Sequence, residues 1–307
     1  MTDIVFIGAV GRSGTTLLER VLSTAGGTIA VGEVVHLWQR GVRWDEPCGC
    51  GEKFSACSFW KAVGDRAFGG WEALSIESVE ADQRIVDRNR CIPYLILPQT
   101  APRTFREAHS RYVHVLDQLY TAIAEIAAES GSCANVIVDS SKHPSYLFLL
   151  RALPHHSVHL LHVIRDPRGV AHSWARIVTR PEGGAPMERL GTVKAIARWT
   201  GHNLLFQVAG WLRMPRRRLA YEHFTNEPLS LGRCVDDLLG HQTETPLAVD
   251  GTAVTVGVDH TVSGNPVRFK VGTLTIRSDE SWRRDMSTTR RCIIGALTTP
   301  LRQVYAR

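Results

Sequence analysis

The chain has 307 residues, 44% hydrophobic and 21% charged. That is globular composition, not disorder, and the length suffices to bury a large core without staples. A formal charge of +6 suits an anionic partner such as a nucleotide, but the densest basic run, Arg216–Arg218 after Pro215, is too short to argue for nucleic acid. No stretch approaches the roughly 18 apolar residues of a membrane span. The Met1-Thr2-Asp3 start carries no basic leader, so the expected compartment is the cytoplasm. The seven cysteines are an odd number, and Cys91, Cys133, Cys234 and Cys292 stand singly, unlike a secreted disulfide framework.

Asp3–Gly8 is an apolar run ending in glycine and predicts a buried parallel strand. Gly11–Gly14 predicts a turn, and Thr15–Ala25 a helix with Leu17, Leu18, Val21 and Leu22 on one side. Residues from Val34 to Arg103 show few clear periods and contain Cys48, Cys50 and Cys57. We read 43–103 as an irregular insertion, a cap on the acceptor side of one domain spanning 1–307. Phe105–Ser130 has the spacing of a long amphipathic helix. Further strands are predicted at Asn135–Asp139, Ser157–Ile164 and Arg218–Tyr221. Further helices are predicted at Gly169–Val178, Met187–Leu212 and Leu229–Leu239. Strands alternating with helices imply an α/β fold with a central parallel sheet and right-handed crossovers. Ligands in such folds bind beyond the carboxyl ends of the strands, where the polar motifs of this chain fall.

Gly11-Arg12-Ser13-Gly14-Thr15-Thr16 lies between a strand and a helix. Glycines let backbone N–H groups and the helix N-terminus converge on an anion, and the hydroxyls of Ser13, Thr15 and Thr16 add donors. A nucleotide triphosphatase loop carries lysine after its last glycine. Thr15 stands there instead, which argues for a donor without a γ-phosphate and leaves Arg12 as the available cation.

With a second motif, Val163-Ile164-Arg165-Asp166-Pro167 through Ser173-Trp174, the chain resembles the sulfotransferases that use 3′-phosphoadenosine 5′-phosphosulfate (PAPS). The motifs lie nearest to the tyrosylprotein and carbohydrate branch, in a form met in bacterial secondary metabolism. The resemblance implies a P-loop-like sulfotransferase fold. It implies that Gly11, Arg12, Ser13, Gly14, Thr15 and Thr16 hold the 5′-phosphosulfate, and that Arg165 and Ser173 hold the 3′-phosphate. Arginine offers a planar fork of donors, and a serine on the next helix can close on the same anion. Lys142, in Asp139-Ser140-Ser141-Lys142, maps to a lysine facing the transferred sulfuryl group. Tyr221 maps to a tyrosine near the adenine, and Ser263, Gly264, Asn265 and Arg268 belong to a late loop over the nucleotide. Glu33, preceded by Gly32, maps to the catalytic base; His36, His143, His172 and His260 are the histidine alternatives. Asp139 and Glu222 are expected to orient neighbours.

The implied reaction moves a sulfonate to a hydroxyl, or less readily an amine, of a small-molecule, carbohydrate or lipid-linked acceptor. It leaves adenosine 3′,5′-bisphosphate (PAP), with Arg12, Lys142 and loop N–H groups stabilising charge. No metal is required, because arginine and lysine can neutralise the leaving bisphosphate, and no metal ligand is assigned. Cys48, Cys50 and Cys57 leave three readings open: zinc ligands short of a fourth, a disulfide, or free thiols in cap packing. Trp38, Trp44, Phe54, Phe59 and Trp60 suit an acceptor pocket or a satellite core. Two rival functions remain: a P-loop nucleotide kinase or other phosphotransferase, with Asp139 holding magnesium, and a non-catalytic nucleotide-binding scaffold.

Overall fold

The computed structural model describes residues 2–129, 135–177, 188–242 and 249–305. Five parallel strands form the central sheet: β1 (Thr2–Gly8), β2 (Thr28–Gly32), β3 (Val136–Asp139), β4 (His156–Ile164) and β5 (Arg216–Ala220), in the order β2-β3-β1-β4-β5. β1 is central because its residues are apolar on both faces. Ile4 and Phe6 pack on one side with Tyr112, Leu116, Tyr146 and Phe206. Val5 and Ile7 pack on the other with Leu18, Val21, Leu161 and Leu219. This is the two-residue alternation of a strand covered on both faces.

The chain leaves β1 toward β2 on one side and later crosses to β4 and β5 on the other. The order therefore reverses at β1, and the crevice beside its carboxyl end is the natural ligand site. The helices fall close to their expected places. They run Thr15–Leu22, Arg103–Ala127, Pro167–Ala175, Thr192–Trp211 and Ser230–Leu239. Val178, Met187, Ser130 and Cys133 from the sequence reading lie outside the described residues.

The insertion divides. Its cysteine-bearing part, up to Cys57, consists of turns and single 3₁₀ turns, whereas Ser58–Phe68, Ile76–Val86 and Ile92–Ile96 are helices. Their periods are short, and Ile76–Val86 buries only Val79, Asp82 and Val86. That is why the sequence read as irregular there. The Ser75 side chain caps this helix by accepting from Ser78 N. The aromatic residues of the segment form core rather than a pocket. Trp38, Phe54, Phe59 and Trp60 are buried, and Trp44 is half exposed.

Features beyond the reading include the helices Pro144–Leu150 and Thr288–Tyr305, the edge strand β2 and a small antiparallel sheet of β6 (Val249–Asp250), β7 (Ala253–Val256) and β8 (Gly272–Thr275). The segment between β7 and β8 returns to the main sheet. Val262 N donates to Val31 O at 2.9 Å, and Glu33 N to Val262 O at 2.7 Å. This crossing requires Gly32, whose φ is +83° and whose added Cβ would lie 2.3 Å from Val262 O.

Candidate functional site

Each of the five parallel strands delivers one of the expected residues just beyond its carboxyl end. Glu33 follows β2, Lys142 follows β3, Arg12 follows β1, Arg165 follows β4 and Tyr221 follows β5. All but Arg165 line a cleft of about 880 Å³, together with Gly11, Gly14, Thr15 and Thr16 of the glycine loop. Ser263, Gly264 and Asn265 close one wall. Asn265 N donates to Thr16 Oγ1 at 3.4 Å, which lays the late loop across the start of the first helix.

The glycine loop is built for close approach. Gly14 has φ +81°, and a Cβ there would lie 2.4 Å from Tyr221 Cε2. Arg12 also takes positive φ, +73°. Gly11 O accepts from Trp174 Nε1 at 3.0 Å, and the Arg12 guanidinium lies 5.4 Å from the Trp174 ring centre. Burial lowers the Arg12 pKa, with Glu33 opposing. Ser13 does not itself line the cleft; its Oγ is fully buried and has no hydrogen-bond partner among the described residues.

Facing this loop, Lys142 Nζ donates to Glu33 Oε1. His36 Nε2 lies 3.5 Å from Glu33 Oε2. Burial would push the Glu33 carboxyl up, but Lys142 and His36 outweigh it and hold the group below the usual carboxylate range. Burial lowers the His36 pKa to about 4, against the pull of Glu33. His143 also lines the cleft, its ring edge-on to His36 at 5.6 Å, and burial lowers its pKa as well. The other two histidine candidates point elsewhere. His172 Nδ1 is 3.4 Å from Ser281 Oγ, and His260 joins the cysteines.

The 3′-phosphate motif is arranged differently from the glycine loop. Arg165 is buried and stacked 4.7 Å over Tyr221. Its Nη1 donates to Arg12 O at 2.8 Å and its Nη2 to Asp279 O at 3.0 Å, with the Asp279 carboxylate 3.4 Å away. Neither Arg165 nor Ser173 lines the cleft, and Ser173 is not brought onto Arg165's polar contacts. Arg268 is likewise turned inward. It donates to Thr261 O at 2.7 Å and to Pro47 O at 2.6 Å, so it holds the late loop's shape. Asp139 and Glu222 hold local structure around the strand ends. Asp139 accepts from Ser141 N at 2.7 Å and from Tyr120, and Glu222 Oε1 from Asp166 N at 3.0 Å. A magnesium-dependent kinase reading needs Asp139 in the cleft; it is fully buried at the end of β3 and does not line the cleft.

Several cleft residues carry no local sequence signal. Arg198 and His202 stand four apart on the helix Thr192–Trp211 and share a face toward the cleft. Asp87 and Asn89 come from the insertion and are tied to Ser145, through bonds of 2.6 Å to its Oγ and 3.3 Å from its N. Arg40 Nη1 donates to Ser263 Oγ at 2.9 Å, linking the segment after β2 to the late loop. Only the i, i+4 pair on a tryptophan-containing helix could have been suspected beforehand.

A parallel α/β sheet brings a glycine loop and a lysine–glutamate pair together at its strand ends, in one cleft. The model of the sulfotransferase family matches residues 4–244, and the chain belongs to that family. Among solved structures, the sulfotransferase domain from the curacin biosynthetic pathway is similar at a TM-score of 0.53 and 16% identity, covering 97% of this chain and 98% of that one. The sulfotransferase domain from the Synechococcus PCC 7002 olefin synthase is 19% identical at a TM-score of 0.49, covering 99% of this chain and 94% of that one. No curated protein matches. Among the described residues, no helix is long and apolar enough to cross a membrane.

Proposed function

We propose that this sulfotransferase takes its sulfonate from PAPS and transfers it to an acceptor hydroxyl, with Glu33 as base and Lys142 and Arg12 stabilising charge. The observation that carries the reading is the Lys142–Glu33 pair set in one cleft against the glycine loop. Bound there, PAPS would supply an activated sulfonate on a stable bisphosphate leaving group. The loop suits such an anion: Gly11, Arg12, Gly14, Thr15 and Thr16 line the cleft, and Ser13 Oγ is a buried donor without a hydrogen-bond partner among the described residues.

The chain's own part is positioning and charge stabilisation. Glu33 is held ionised, ready to accept the acceptor's proton as the sulfur–oxygen bond to the acceptor forms. Lys142 shares the cleft with that carboxylate and the loop; its ammonium would stabilise charge on the donor's leaving oxygen, which would leave Glu33 free for the acceptor. Arg165, next to Arg12 and Tyr221, would take the 3′-phosphate, and that anion would displace the Asp279 carboxylate from it. The cap residues Asp87 and Asn89 and the helix residues Arg198 and His202 put polar groups on the cleft wall. This favours a polar acceptor, a carbohydrate or hydroxylated small molecule, over a purely apolar one.

The test is turnover of PAPS by the purified chain over pooled hydroxylated acceptors, read as a mass gain of one sulfonate with stoichiometric PAP. ATP and magnesium run in parallel. Transfer from PAPS without added metal supports the reading. Phosphoryl transfer from ATP alone, or tight PAP binding with no turnover on any acceptor, overturns it.

A further inference from the structure

The three cysteines of the insertion and one histidine from the late loop converge on a single point. The sequence shows Cys48, Cys50 and Cys57 but offers no fourth ligand nearby; His260 lies 203 residues beyond Cys57. In the structure, one donor atom from each of the four falls within 4.8 Å of every other. Cys57 Sγ is 3.6 Å from Cys48 Sγ and 3.2 Å from His260 Nδ1, and Cys48 Sγ is 3.8 Å from the same nitrogen. Ligands about 2.3 Å (sulfur) and 2.0 Å (nitrogen) from a tetrahedral zinc ion stand roughly 3.5–3.8 Å apart. The three edges among Cys48, Cys57 and His260, 3.2–3.8 Å, are close to that size, and Cys50 completes the group within 4.8 Å.

We propose that Cys48, Cys50, Cys57 and His260 bind one structural Zn²⁺ that fastens the insertion to the late loop over the cleft.

The surroundings are those of a metal site. The backbone N–H groups of Cys50, Glu52 and Trp60 are directed at the sulfurs of Cys48, Cys50 and Cys57 respectively, donors suited to thiolates. Gly51, at φ +94°, lets the chain double back so that Cys48 N reaches Glu52 O at 2.7 Å and Gly51 N reaches Cys48 O at 2.8 Å. The His260 ring is stacked on Phe59 at 5.0 Å, and its carbonyl accepts from Trp60 Nε1 at 2.8 Å, so Nδ1 is aimed at the sulfurs. Gly49 N donates to Thr261 O at 2.9 Å, which zips the two segments beside the cluster. Four protein donors close the coordination shell, as in structural rather than catalytic zinc sites, and soft thiolates favour zinc over magnesium or calcium. Cys48, Cys50 and Cys57 are free thiols in the structure. Binding releases the thiol protons to solvent and changes no oxidation state.

The site would act on the transfer cleft at one remove. Ser263, Gly264 and Asn265 begin three residues beyond His260 and line the cleft. A metal at His260 fixes the start of that wall.

The experiment is metal analysis of the full chain purified in reductant without a histidine tag, followed by cobalt substitution. About one zinc per chain, replaceable by cobalt(II) with the intense visible bands of a tetrahedral thiolate site, is the expected result. Removing the metal should lower the melting temperature by about 5–10 °C, and zinc should restore it. Cys57→Ser and His260→Ala should each lose stoichiometric zinc. If those variants do not fold, the cobalt spectrum of the unmodified chain decides alone. Less than a tenth of an equivalent of zinc after reconstitution, iron or copper in its place, or the weak bands of octahedral cobalt would overturn the proposal. None of these readouts depends on the sulfonate donor.

Discussion

Lys142 and Glu33 meet across the carboxyl ends of two adjacent strands, β3 and β2, through a hydrogen-bonded ion pair that neither segment could form alone. Lys142 reaches it from a strained backbone, φ +67°, and Glu33 from the residue after a glycine that only glycine can fill. Positive φ at a non-glycine residue persists where the surroundings over-determine it, and functional sites are where it clusters. Glu33→Gln should cut kcat by about 10²–10⁴, the usual worth of a general base, while PAP affinity stays within a few-fold. Steady-state kinetics with PAP titration calorimetry checks this. Near-normal kcat would remove Glu33 from the role and turn attention to His36 and His143.

Arg165 supports the loop and, in the proposed reading, also binds the donor. Arg165→Lys keeps the charge but loses the fork that spans Arg12 O and Asp279 O. Hydrogen bonds to a charged group are worth about 1.5–3 kcal/mol, so PAP should bind about 10–100-fold more weakly. The same ligand without its 3′-phosphate should lose much less. Calorimetry on both ligands tells the two roles apart: equal losses would mean that Arg165 acts only by holding the loop.

The sheet was legible because buried parallel strands are short apolar runs with polar motifs at their ends, as at Asp3–Gly8 and Ser157–Ile164. β2 was harder: Thr28–Gly32 follows a Gly26-Gly27 pair and sits at an edge, where its pattern is brief. The helices 58–96 escaped because they are short and bury few residues. Gly11, Arg12, Gly14, Thr15, Thr16, Glu33, Lys142 and Tyr221 line one cleft, since each is local to a strand end. Arg268 did not join them. An arginine in a loop reads as an anion ligand, but here two backbone carbonyls claim its guanidinium. His260 was visible as a motif residue, yet its partners lie in the insertion, a distance no local pattern encodes.

Gly14→Ala tests how tightly the loop is fitted. The αL conformation costs an L-residue about 1–2 kcal/mol, and the new methyl would meet the Tyr221 ring at 2.4 Å. A fall of several degrees in melting temperature is expected, with PAP affinity falling at least about tenfold. Adding Tyr221→Ala should return space but not the backbone penalty, so stability should recover only in part. Full recovery would mean that the clash alone mattered.

The last prediction concerns Glu19, buried beneath the loop on the first helix. Its Oε1 accepts from Gly32 N at 2.6 Å and its Oε2 pairs with Ser140 Oγ at 2.8 Å, so it ties β2 to β3 just behind the Lys142–Glu33 pair. Burial raises its pKa from 4.5 to about 8, with the two hydrogen bonds opposing. A carboxyl whose folded pKa is raised binds its proton more tightly in the native state. Its contribution to stability is therefore full below about pH 4.5 and is lost as pH rises through about 8. Glu19→Gln keeps the shape and hydrogen-bonding atoms but cannot ionise. The melting temperature of the variant relative to the parent should thus climb steadily between pH 5 and pH 8. Buried groups such as His202, whose pKa burial lowers to about 4, titrate alike in both chains and cancel in that difference. Thermal melts at half-unit pH steps give the answer: a flat difference would show that Glu19 is ionised in the fold.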